Sequence, residues 1–211
     1  PLISVYLTGK DLKNAIEVDA SVPPLMSAAQ LFYSGVKYSF NTNRMIFDKV
    51  DYVELVRKDG VTEPIVDDQL YHVVTGLYIG QMLGAVEDTS FGILTVTPRD
   101  AQGNPIAVDQ LEDYILHDAQ GAEVKEWQAV AGYLQSMGGE MDPKYGQTDG
   151  RKYVYASWNP VSLLKNAGLP TAVAILALVL VLVLLIVVVL LLRKWILRRV
   201  RKNPYPAGEK M

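Results

Sequence analysis

The chain has 211 residues, 50% of them hydrophobic, no Cys and a net charge of −3. Without Cys there is no disulfide and no thiolate to act as nucleophile or metal ligand. Residues 1–170 carry 13 Lys and Arg against 22 Asp and Glu, a net −9, and 171–211 carry 7 against 1, a net +6. So acidic a body excludes a nucleic-acid partner, because binding to phosphate backbones needs clustered cations.

In chain order, residues 3–7 (Ile-Ser-Val-Tyr-Leu) form a short β-rich run, broken at Thr8-Gly9. Asp11 is placed to cap a helix in which Leu12, Ala15 and Ile16 share one face. Residues 31–40 predict a strand with Val36, Tyr38 and Phe40 on one side, ending in the Asn41-Thr42-Asn43 turn. Residues 51–56 predict a second strand, closed by the hairpin signal Asp59-Gly60. Further strands are expected over 71–75 and 91–96, joined by a glycine-punctuated connection over 76–84. Asp109 and Glu112 have capping-box spacing. A longer helix is expected over 126–137, with Trp127, Val130, Ala131 and Leu134 at core spacing. Residues 138–150 hold four Gly and a Pro and predict a linker. The linker and stalk together are expected to run over 138–168, with Tyr153, Tyr155 and Trp158 near the apolar segment that begins at Ala172. Strands in pairs with helices at the ends predict an α+β domain over 1–137.

From Ala172 to Leu192 there is no charged, amide or hydroxyl side chain and no Gly or Pro. As a helix these residues extend about 31 Å, which matches a hydrocarbon core of roughly 30 Å. Helices buried in small domains rarely lack a polar face over such a length, so residues 169–192 predict a transmembrane helix and a lipid-bilayer partner. Arg193, Lys194, Arg198, Arg199, Arg201 and Lys202 come next, without an acidic residue among them. Positive charge beside a span stays in the cytoplasm. The expected topology is single-pass in the plasma membrane, with 1–170 outside and a basic tail, 193–211, inside. Trp195, Arg193, Lys194, Arg198 and Arg199 are the expected membrane-interface residues. A sortase signal is disfavoured: Leu169-Pro170-Thr171-Ala172-Val173 has Thr one place early and Val where Gly is needed. The first residue is Pro, and no export signal precedes the body. The chain is therefore expected to be the C-terminal part of a longer protein. A body without Cys leans towards a bacterial cell surface.

Several segments, in order, resemble the C-terminal domain of the 5′-nucleotidase / UDP-sugar hydrolase family. They are Leu7-Thr8-Gly9-Lys10-Asp11-Leu12 continuing to Glu17, Tyr33-Ser34-Gly35-Val36-Lys37-Tyr38, the Asp59-Gly60 hairpin, and Tyr71-His72-Val73-Val74-Thr75. The resemblance covers residues 2 to about 136, and on it Pro1 lies inside the family domain. It implies a domain that binds a nucleotide or related phosphoester and presents it to an N-terminal metallophosphoesterase domain, which carries the divalent metals. No metal-binding string occurs in this chain, and its two His, His72 and His117, stand in unrelated contexts. The catalytic residues and cofactors are accordingly expected in that missing domain, none of them here.

The resemblance also implies two aromatic rings that clamp the base. One ring position falls on Gln30 or Ala29, depending on the alignment of Ser34. The other comes after an Asn-Phe-…-Gly-Gly-Asp-Gly loop, where this chain has Leu77-Tyr78-Ile79-Gly80-Gln81-Met82-Leu83-Gly84-Ala85-Val86. The family's Arg near the first helix have no counterpart before Arg44. Tyr78, Phe32 and Tyr33 are the aromatics left to stack a base. The leading expectation is the substrate-positioning domain and anchor of a surface nucleotidase-like phosphoesterase. The alternative is a membrane-anchored module that keeps the fold without the nucleotide site. A signalling receptor is disfavoured by an inner tail of only 19 residues.

Overall fold

The computed structural model describes residues 1–24, 30–84, 86–90 and 92–202. It divides into two compact units, Pro1–Ala167 and a second that begins at Gly168.

Strand β1 (Leu2–Thr8) buries alternate residues Ile3, Val5 and Leu7, as the two-residue period of a strand requires. It leads directly into helix α1 (Gly9–Ser21). Thr8, rather than the expected Asp11, is the N-cap: its Oγ1 accepts the Asp11 N–H at 3.1 Å and its hydroxyl donates to the Asp11 carboxylate at 2.5 Å. Gly9 is required at this corner, because a Cβ there would stand 2.0 Å from the Val66 carbonyl oxygen. The expected apolar face of Leu12, Ala15 and Ile16 is buried, and so are Glu17, Asp19 and Ser21.

Those polar groups organise the second half of the unit. Glu17 accepts the backbone N–H of Lys49 (2.9 Å) and Val50 (2.8 Å) and the Ser21 hydroxyl (2.5 Å). Burial nevertheless outweighs these bonds and raises the Glu17 carboxyl above its ordinary value. Asp19 accepts the Leu31 N–H, the Tyr38 hydroxyl and the Lys152 ammonium at 2.9, 2.8 and 2.6 Å. One helix thus binds the segments on either side of it by carboxylates as well as by apolar contact.

β1 pairs antiparallel with β5 (Leu70–Gly76), Val5 opposite Val73. A second sheet has the order β4 (Thr62–Pro64), β3 (Val50–Val56), β2 (Val36–Asn41), β6 (Lys152–Tyr155). The expected strand over 31–40 starts only at Val36, because Gly35 turns the chain at φ 79°. The expected hairpin at Asp59-Gly60 is present, with Gly60 at φ 83°, a conformation available to glycine at no steric cost. The main core gathers Leu7, Leu12, Ile16, Val36, Tyr38, Phe40, Val53 and Val96. A smaller one gathers Ile3, Val5, Ile106 and Leu111.

Four expectations from the sequence change. Residues 77–84 form a helix, α2 (Leu77–Gly84), and α3 (Val86–Thr89) lies after it; Gly80 is tolerated because its bare Cα lets Ile3 approach. Residues 92–96 form no strand. Ser90 ties its own hydroxyl to Leu94 N–H and C=O instead, and Phe91 lies outside the described residues. Asp109 caps nothing: a 3₁₀ turn over Val108–Tyr114 starts from Ala107 without a side-chain cap. Finally, 138–168 is not a free stalk. Residues 152–155 are β6, parallel to β2, with Phe40 opposite Val154. A bond from Asn166 Nδ2 to the Asp51 carbonyl (3.0 Å) holds the end of the segment.

Helix α4 (Glu126–Ser136) has the expected bounds to within a residue, but none of its residues is buried. Trp127, Val130 and Leu134 are exposed, so the face expected in the core has no partner among the described residues. Helix α5 (Pro160–Leu164) is short and capped by Asn159, whose Oδ1 accepts the Val161 N–H at 2.9 Å. In the second unit, α6 (Leu169–Lys202) is a single helix, long and apolar enough over Leu169–Arg199 to cross a membrane.

Candidate functional site

A cleft of about 720 Å³ opens where residues 30–36 approach β5. It exists because β5 pairs only with β1 among the described residues. Its other edge faces the chain that leads from α1 to β2. Leu12 and Ala15 of α1 and Ile79 and Leu83 of α2 close the apolar floor. Polar groups are few: Gln30, Ser34, His72 and Thr75. A mostly apolar concavity with a handful of polar groups is the usual form of a small-molecule site.

The three expected stacking aromatics have separate fates. Phe32 lines the cleft with 86% of its surface free. Tyr33 lines it too, but its ring packs edge-on against Tyr38 at 5.8 Å and its hydroxyl donates to the Ala15 carbonyl at 2.6 Å. Burial pushes the Tyr33 phenol well above its ordinary value, so it remains a neutral donor. Tyr78 does not line the cleft and is 73% exposed. The helical period explains this. Ile79 and Leu83, four residues apart, share the cleft-facing side of α2, and Tyr78 is rotated about 100° from Ile79.

Gln30, one of the two alternatives for a family ring position, lines the cleft; Ala29 lies outside the described residues. His72 and Thr75 belong to the Tyr71-His72-Val73-Val74-Thr75 segment, where the sequence marks a strand and nothing singles out a ligand-facing side chain. His72 Nε2 lies 2.6 Å from Ser4 Oγ, with its ring 5.1 Å from that of Tyr6. Among the described residues no third group orients the imidazole, as activation of a serine nucleophile would require. His117 is elsewhere, its Nδ1 2.9 Å from the Ile115 carbonyl.

Among the described residues no group of three or more His, Cys, Asp or Glu is placed to hold a metal. The side chains that line the cleft do not fit a two-metal phosphoesterase centre.

The family model for the 5′-nucleotidase C-terminal domain matches residues 1–85 of the 211. Among solved structures, a 5′-nucleotidase precursor from Thermus thermophilus superposes with a TM-score of 0.50 at 21% identity. The match covers 74% of this chain and 25% of that one. A Haemophilus influenzae NAD nucleotidase, NadN, matches at a TM-score of 0.43 and 18% identity, over 74% of this chain and 24% of its own. The chain thus spans about a quarter of the length of the structures it resembles. Comparison with curated proteins gives no match.

Proposed function

We propose that this chain is the substrate-positioning domain and membrane anchor of a nucleotidase-like phosphoesterase, held on the outer face of the plasma membrane. The observation that carries the reading is the cleft beside Phe32, in a body whose first 85 residues match the 5′-nucleotidase C-terminal domain model. Phe32 offers a free ring to a base, Gln30 and Ser34 offer hydrogen bonds beside it, and Ile79 and Leu83 exclude water from the floor. Hydrolysis belongs to a partner domain that supplies divalent metals. Helix α6, whose end carries Arg193, Lys194, Arg198 and Arg199 with Trp195 among them, is the anchor. Arg199 lies over the Trp195 ring at 5.0 Å, an arrangement suited to the interface.

The test is kinetic, in the full-length parent. Losing a stacked ring costs about 1–3 kcal/mol, roughly a five- to 150-fold rise in KM, with little change in kcat. Phe32→Ala should show it and Tyr78→Ala should not. An unchanged KM in a folded Phe32→Ala parent would favour the second reading, a non-catalytic surface module. That reading is supported by Gln30 in the place of a family ring and by a Tyr33 hydroxyl already engaged with Ala15. For the topology, protease added to intact cells should release the body and spare a tag at Met211.

A further inference from the structure

The end of the first unit carries an apolar surface that its position explains. Trp158 is 77% exposed, Val161 73% and Leu164 51%. They belong to one short segment that is fixed to the domain at both ends. At its start, the fully buried Asn41 amide donates to the Ser157 carbonyl and accepts the Ser157 N–H, both at 2.9 Å. At its end, Asn166 holds the Asp51 carbonyl, and the Ala167 N–H bonds the Leu164 carbonyl at 3.1 Å. With the Asn43 amide set so that its oxygen faces donors, that oxygen accepts the Trp158 indole N–H at 3.1 Å. The exposed ring is therefore immobilised by a partner within the protein, and its one polar group is satisfied.

We infer that Trp158, Val161 and Leu164 form a foot that inserts into the outer interfacial layer of the bilayer, so that the domain lies directly on the membrane rather than above it. The inference rests on the reading of α6 as the anchor. Three arguments support it. The first is tether length. Asn166 to Leu169 is three Cα steps, at most fully extended, and Leu169 to Ala172 is three helical steps, so Asn166 stands at most about 15 Å from the start of the apolar run. The second is charge. In a body of net −9, residues 153–170 contain no acidic residue and one basic residue, Lys165. An anionic or zwitterionic surface repels nothing there. The third is the satisfied indole. Burying an unpaired polar group costs free energy, and Trp158 enters the interface with its N–H already bonded while its hydrocarbon face is free. The exposed face of α4 meets none of these conditions, since nothing ties it within reach of the apolar run.

The experiment is fluorescence quenching of the full chain reconstituted in phosphatidylcholine vesicles, with bromine on the acyl chains near the headgroup. The chain has three Trp, at 127, 158 and 195. Trp127→Phe/Trp195→Phe leaves Trp158 as the reporter, and Trp127→Phe/Trp158→Phe leaves Trp195. Both reporters should lose most of their emission to brominated lipid, and Trp158 should be shielded from aqueous iodide. Quenching of Trp195 without Trp158 would overturn the foot and keep the anchor. Quenching of neither would overturn both. A flexible ten-residue insertion between Ala167 and Gly168 separates docking from mere proximity. Quenching of Trp158 should survive the insertion, and should be lost on adding Val161→Ser/Leu164→Ser; loss with the insertion alone would overturn the foot.

Discussion

Helices α1 and α4 are of similar length, 13 and 11 residues, and each repeats apolar residues at helical spacing. Their fates are opposite. In α1, Leu12, Ala15 and Ile16 sit in the main core and the polar residues Glu17, Asp19 and Ser21 are buried with them. In α4 no residue is buried, and Trp127 is 68% exposed. The difference is in what lies alongside. α1 leaves β1 through a tight corner at Gly9 and meets both sheets, where backbone donors of Lys49, Val50 and Leu31 await its carboxylates. α4 comes after a loop, and among the described residues only its first residue, Glu126, comes close to a strand, at Gly76 of β5. Periodicity tells which side of a helix is apolar; only the neighbours decide whether that side is covered.

The sharpest way to break this comparison is to truncate one apolar residue on each helix. Ile16→Ala should cost about 2–5 kcal/mol, since Ile16 is fully buried. Val130→Ala should stay within about 0.5 kcal/mol. Urea unfolding of the full chain in detergent measures both, and similar losses would mean that the α4 face is covered after all.

Gly9→Ala tests the corner. Its Cβ would collide with the Val66 carbonyl, which is backbone and cannot rotate away, so overpacking of about 1–3 kcal/mol is expected. A neutral Gly9→Ala would show that the entry to α1 is slack.

Lys152→Ala removes the ammonium that β6 lends to the buried Asp19. Asp19 keeps Tyr38 and the Leu31 N–H, so the loss should be about 1–3 kcal/mol, the range for leaving a buried group short of a partner. It should also increase proteolysis within 138–168. Unchanged proteolysis would mean that β6 does not depend on α1 for its place.

The smallest effect is one of pH. The Tyr155 phenol is pushed up to about 12, first by donating to the Asp51 carboxylate at 2.5 Å and then by burial. A group whose folded pKa is raised contributes stability that is present below its unfolded value and lost as pH rises through the folded one. Wild type should therefore lose stability relative to Tyr155→Phe between pH 10 and about 12. Parallel pH profiles in that window would remove the Tyr155–Asp51 bond from the account.

Much of the chain was legible from residues alone because its signals are local. The strand over 3–7, the Asp59-Gly60 hairpin, the strand over 71–75 and the uninterrupted apolar run of α6 depend on neighbouring side chains and backbone sterics. So do the segments that resemble the nucleotidase C-terminal domain. What required the tertiary structure was everything set by distant partners. β6 exists because Lys152 reaches Asp19 and its strand finds the free edge of β2, 114 residues away between Tyr38 and Lys152. Tyr78 is turned from the cleft because 77–84 is helical, and that helix is stabilised by packing against β1 rather than by its own glycine-rich composition. Sequence determined which stretches are apolar, which turn and which can cross a bilayer, since those depend on short-range sterics and solvation. The covering of α1 but not α4, the burial of three carboxylates on α1, and the lining of the cleft depend on which surfaces meet, and no local pattern contains that.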